Sequence, residues 1–74
     1  MMKYKDDYGR FEIQAEHEFD GVIYQWRKYD NSPMIKKLGG CYANYCETGS
    51  IKFYRSEYLR DRAFVKFMNT CIVK

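Results

Sequence analysis

From Arg10 to Phe19 the chain reads RFEIQAEHEF, and Phe11, Ile13, Ala15, His17 and Phe19 alternate strictly with Arg10, Glu12, Gln14, Glu16 and Glu18. A period of two marks a strand with one face turned to a core. Asp20-Gly21 follows. Both central residues of a tight hairpin turn need positive φ, which this pair adopts readily. The next run, VIYQWRKY, therefore folds back antiparallel. The turn sets Phe19 opposite Val22, His17 opposite Tyr24 and Ala15 opposite Trp26, all on one face. Carried on without interruption, the same register places Gln14 near Arg27, Glu16 near Gln25 and Glu12 near Tyr29 on the other face.

A second hairpin is predicted from CYANYC and IKFYR around ETGS. With Thr48-Gly49 as its turn, Cys46 opposes Ile51, Asn44 opposes Phe53 and Tyr42 opposes Arg55. Ile51 and Phe53 then face the core, and Tyr45, Lys52 and Tyr54 face outward with Ala43. Between the hairpins, Ser32 can cap a helix that Pro33 opens and Gly39 or Gly40 stops. This predicts a short connecting helix over 33–38.

Residues 60–67 read RDRAFVKF and admit two structures. Arg60, Ala63, Phe64, Val65 and Phe67 match the signature strand of the RNA-recognition motif, but Asp61 stands at its glycine and Arg62 at its stacking aromatic. Seven residues remain after Phe67, too few for the helix and strand that follow that signature. A helix fits better. Ser56 is a good N-cap and Glu57 suits the first turn, while Leu59, Ala63 and Phe67 form a stripe that Phe64 widens. Tyr58 and Val65 lie off it, against another part of the fold or a partner. NTCIVK then supplies a last strand.

The expected fold is α+β: a small antiparallel sheet of two hairpins plus a terminal strand, covered on one face by one main helix over 56–68. The expected core is Phe11, Ile13, Ala15, Phe19, Val22, Tyr24, Trp26, Ile51, Phe53, Leu59, Ala63, Phe64, Phe67 and Ile72. At 74 residues the chain is a single domain, 1–74, with 1–8 a loose lead-in. A domain of this size buries only about 60% of its unfolded surface. The aromatic share of 19% reads as compensation, since large rings build a core from few side chains.

The net charge of +3 is too mild to demand a nucleic-acid partner, though it permits one. Glu12, Glu16, Glu18 and Asp20 make the first third acidic, and Lys and Arg dominate from Arg27 onward. The beginning, MMKYKDDY, has no apolar signal core, and no run reaches the ~20 apolar residues of a membrane span. With an odd number of cysteines (Cys41, Cys46 and Cys71) this points to reduced thiols in the cytoplasm.

Catalytic chemistry has little to build on. His17, the sole histidine, sits on the apolar face of a strand with no nucleophile tied to it by a motif, and reads as a packed, hydrogen-bonded side chain. Cys41 and Cys46 are too far apart for a zinc knuckle and point to opposite faces of a strand. The glycines at 39 and 40 lack the Gly-Lys-Ser/Thr of a phosphate loop. A non-enzymatic protein without cofactor or metal is expected. What remains is a patch of Tyr45, Lys52, Tyr54, Arg55, Arg60 and Arg62, types that dominate protein interfaces and also suit phosphate contact and base stacking.

Ile51–Tyr54 (IKFY), the Ala63–Phe67 pattern (AFVKF) and the short end at 71–73 resemble the closing elements of small accessory proteins of tailed bacteriophages. The resemblance covers about a third of the chain. It implies a role in binding and blocking a host protein or protein–nucleic-acid complex, such as a transcription or CRISPR-type defence complex. The alternative is a module that binds single-stranded nucleic acid through the same patch.

Overall fold

The computed structural model describes residues 3–69. Five strands make one antiparallel sheet in chain order: β1 (Tyr4–Asp6), β2 (Gly9–Phe19), β3 (Val22–Tyr29), β4 (Tyr42–Cys46) and β5 (Ser50–Tyr54). Helix α1 (Pro33–Leu38) joins β3 to β4, and α2 (Glu57–Phe67) follows β5. The α+β class agrees with the sequence reading. The last strand expected at 71–73 lies outside the described residues. At the other end, the expected loose lead-in contains β1. Asp6 Oδ1 accepts the Tyr8 N–H at 2.8 Å and Gly9 adopts φ 121°, so the chain turns and pairs Tyr4 with Phe11.

The two helix caps are the ones the residues predict. The Ser32 and Ser56 hydroxyls accept the N–H groups of Ile35 and Leu59, and Gly39 closes α1 at φ 127°. Asp20 and Gly21 both take positive φ, 54° and 78°, so the first turn is the tight one expected. Phe19 pairs with Val22, His17 with Tyr24 and Ala15 with Trp26.

Beyond Ala15 the ladder departs from the uninterrupted register. Ile13 pairs with Arg27 and Phe11 with Tyr29, so Gln14 is an extra residue, a β-bulge. Because side chains alternate with a period of two, one inserted residue exchanges the faces. Ala15, His17 and Phe19 lie on one side of the sheet and Phe11 and Ile13 on the other. The second hairpin is also shifted by one. Its loop has three residues, Glu47 to Gly49, with Gly49 at φ 112°, and pairs Cys46 with Ser50, Tyr45 with Ile51 and Ala43 with Phe53. Such loops place a glycine at positive φ, and their odd length inverts the parity of a two-residue turn.

Both faces therefore carry a core, and each helix covers one. On the α1 face Ile35 packs into Phe11, Tyr29 and Ala43, with Tyr8, Ile13, Cys41, Ile51 and Phe53 around them. The 33–38 helix is thus a packing element as well as a connector. On the α2 face the Phe64 ring sits 5.0 Å from His17, 5.5 Å from Trp26, 6.0 Å from Tyr24 and 6.2 Å from Phe19. His17 is packed as expected, but its Nε2 has no hydrogen-bond partner among the described residues.

An arginine is buried on each side. On the α1 face Arg27 lies over the rings of Phe11 and Tyr45 at 4.0 and 3.8 Å. It donates to Gln25 Oε1, Tyr29 Oη and Asp6 Oδ2, and Tyr29 Oη donates to Asp6 Oδ2 at 2.6 Å. Burial, and then the Asp6 carboxylate, push the Tyr29 phenol well above the ordinary tyrosine value. On the α2 face Arg60 is 1% exposed and lies over Trp26 and Tyr42. Its Nη1 donates to Gln14 Oε1 at 2.6 Å and to the Arg27 carbonyl at 3.2 Å, and its Nε donates to Asp61 at 2.7 Å. Arg60 thus holds the bulge from the helix side, satisfying polar groups where the ladder is disrupted.

The inward ridge of α2 is Arg60 and Phe64; of the expected stripe, Phe64 is buried and Phe67 packs on Tyr24 at 5.7 Å, while Arg60 takes the place expected of Leu59. Leu59 and Phe67 stay 37% and 38% exposed. No helix among the described residues is long and apolar enough to cross a membrane.

Candidate functional site

The orientation of α2 decides what the molecule presents. Turning Arg60 and Phe64 inward points Tyr58, Arg62 and Val65 outward, because positions three and four apart share a helix face. Tyr58 is 67% exposed and Val65 51%. The helix has inverted the usual sorting, burying an arginine while leaving large apolar side chains in water. Tyr58 and Val65 do not touch the rest of the fold in the way that would bury them. Of the two roles open to them in the sequence, this leaves a surface one.

Of the six residues expected to form the patch, Lys52, Tyr54 and Arg62 share the α2 side of the molecule. Lys52 and Tyr54 project from β5 on that face, beside Asn44 and Tyr42 of β4. They line one wall of an open groove whose other wall is Ala63, Phe64 and Phe67 of α2. Arg55 is exposed in the two-residue link between β5 and α2, and Arg62 is exposed on the helix. Lys52, Arg55 and Arg62 form no ion pair among the described residues.

The other two are placed differently. The three-residue loop puts Tyr45 on the α1 face, across the sheet from Lys52 and Tyr54, where its ring lies against Arg27. Arg60 is interior, for the reasons given above. Arg60 is thereby closed to a partner, whereas Tyr45 is half-buried and also lines the groove beside Lys52 and Tyr54.

Charge is also distributed by the fold. The eleven residues of β2, at about 3.3 Å each, span about 36 Å, and the molecule is 38 Å along its longest axis. The β2–β3 turn is therefore one end of the molecule. Glu47 joins it there, accepting the Ile23 N–H at 2.9 Å and donating its own N–H to the Ile23 carbonyl. Glu18, Asp20 and Glu47 gather at that end, while Arg55, Lys36 and Lys37 lie toward the other.

Among the described residues no group of three or more His, Cys, Asp or Glu side chains is placed to hold a metal ion. Cys41 packs against the α1-face core, and Cys46 lies on the α2 face, its sulfur 3.1 Å from Thr48 Oγ1.

Comparison of the chain with protein-family models, with curated proteins and with solved structures finds no match.

Proposed function

We propose that this chain is a non-catalytic binding protein that docks on a macromolecular partner through one surface. That surface is the outer face of α2, with Tyr58, Arg62 and Val65, continued by Arg55, Lys52 and Tyr54 at the sheet edge. The supporting observation is the exposure of Tyr58 and Val65 on a helix that has turned Arg60 inward. Apolar area removed from water contributes roughly 25 cal/mol per Å², and Tyr and Arg are the residues most often found to dominate interfaces. From the phage resemblance the reading takes its finer content: a phage-encoded protein in the host cytoplasm that inhibits a host complex by occupying it.

The test is capture from a host-cell lysate by wild type and by the double variant Tyr58→Ala/Arg62→Glu. Partner recovery should fall at least tenfold while the urea midpoint is unchanged. Undiminished recovery by a folded double variant contradicts the reading.

A second reading, a single-strand nucleic-acid binder, draws on Lys52, Arg55 and Arg62, which form no ion pair among the described residues, and on Tyr54 and Tyr58. It has fewer rings to stack on than the sequence offered: Tyr45 is engaged by Arg27, and Trp26 lies under Phe64. A labelled oligonucleotide that shifts at low salt and is released as salt rises supports this reading; no shift at low salt removes it.

A further inference from the structure

Resting on the binding reading above, we propose that the margin of β5, along which no other described strand than β4 lies, accepts an extended segment of a protein partner as a sixth strand, and that this segment alternates apolar with acidic side chains. The sheet order leaves β5 at its margin with β4 on one side, and no described strand lies along the other. Such a margin offers a row of main-chain donors and acceptors to an incoming strand. The opposite margin is a poorer template. It is β1, three residues long, with Asp6 already committed to Arg27 and Tyr29.

Concave surface follows β5 on both faces. On the α1 face a shallow depression is lined by Tyr8, Leu38, Ile51 and Phe53, with Lys52 and Tyr54 bordering it across the strand, and Leu38 stands 42% exposed at its rim. On the α2 face the groove described above runs between Lys52 and Tyr54 and the helix. An added strand sends successive side chains alternately to the two faces. Those entering the first depression meet apolar groups. Those entering the second meet Lys52, which has no acidic partner among the described residues. Acidic side chains complement that side.

Lys52 also argues against a second copy as occupant. Twofold antiparallel pairing of β5 centred on this residue sets two lysines directly opposite, which is destabilising. A charged residue in the middle of an edge strand is a common device against self-association. The same charge that discourages a like strand attracts an acidic one.

The test titrates two heptapeptides, Ac-TVEVEVT-amide and Ac-TVKVKVT-amide, into the ¹⁵N-labelled full chain at about 1 mM, where weak contacts become measurable. The acidic peptide should shift the amides of Ile51 to Tyr54 and slow exchange along β5 about tenfold, while the basic peptide should not. Lys52→Glu should reverse the preference. No change at β5 with either peptide overturns the proposal, as does equal response to both. Shifts confined to Tyr58, Arg62 and Val65 overturn the edge while leaving the binding reading intact. A concentration-dependent dimer in sedimentation, with the β5 amides shifting as it forms, gives the edge to a second copy and also overturns the proposal.

Discussion

Replacing Arg60 with methionine should cost this domain a large part of its stability, although an arginine on a helix of a basic chain would ordinarily be judged dispensable. The side chain is 1% exposed and makes three close hydrogen bonds, to Gln14 Oε1, the Arg27 carbonyl and Asp61 Oδ1. Bonds to a charged group contribute about 1.5–3 kcal/mol each. The desolvation of the guanidinium offsets part of that sum. In the variant, Gln14 and Asp61 can turn to water, and the buried Arg27 carbonyl loses its Arg60 donor while keeping its place opposite Ala43 in the β3–β4 ladder, at about 1 kcal/mol. Arg60→Met, which keeps most of the volume, should therefore lose about 2–3 kcal/mol, and Arg60→Ala about 3–5 kcal/mol once a cavity is added. A domain of this length has about 4–11 kcal/mol in total. Urea unfolding followed by tryptophan fluorescence measures the loss. Gln14→Ala alone should cost about 1 kcal/mol, and the double variant less than the sum, since the two residues share a bond. If Arg60→Met stays within about 0.5 kcal/mol of wild type, the range of surface substitutions, the clasp between helix and bulge is refuted.

Because the Tyr29 phenol is raised in the fold, first by burial and then by Asp6, its contribution is complete below about pH 10, the ordinary tyrosine value, and is lost as pH climbs toward the folded value; Tyr29→Phe should flatten the alkaline fall of the urea midpoint, and an unchanged slope contradicts this. At Gly40, φ is 136° and an added Cβ would stand 2.6 Å from the Arg55 Cα and clash with the Tyr54 carbonyl, so Gly40→Ala should cost about 2–4 kcal/mol, seen as a lowered melting temperature. Ser56→Ala removes the acceptor for the Leu59 N–H and should cost about 1 kcal/mol, recoverable by Ser56→Asp.

The parts of the fold legible in the sequence are those in which local chemistry leaves one choice. Asp20-Gly21 admits a tight turn and so fixed Ala15, His17 and Phe19 against β3. Ser32 with Pro33, and Ser56 with Glu57, marked both helix starts. The bulge was not legible because Gln14 continues the polar alternation without a break. With a helix on each face, apolar residues are acceptable on either side, so the pattern does not reveal where it crosses over. ETGS contains a plausible two-residue turn and a plausible three-residue loop, and only the second was adopted, which moved Tyr45 away from Lys52 and Tyr54. Arg60 was read as surface because hydropathy places arginine outside. Its burial depends on Gln14, a partner 46 residues away that no local rule identifies. Tyr58 and Val65 were visible as residues off the apolar stripe, and that misfit was the available signal for the exposed face of α2.

The face exchange at Gln14 underlies the placement of both helices and of everything they leave exposed. It is tested most directly by cross-strand nuclear Overhauser contacts in β2 and β3. Contacts pairing Ile13 with Arg27 and Phe11 with Tyr29, together with Ala15 and Trp26 on the Phe64 side, are predicted. An unbroken ladder that sets Ile13 opposite Lys28 would contradict the bulge, the two-faced core and the surface derived from them.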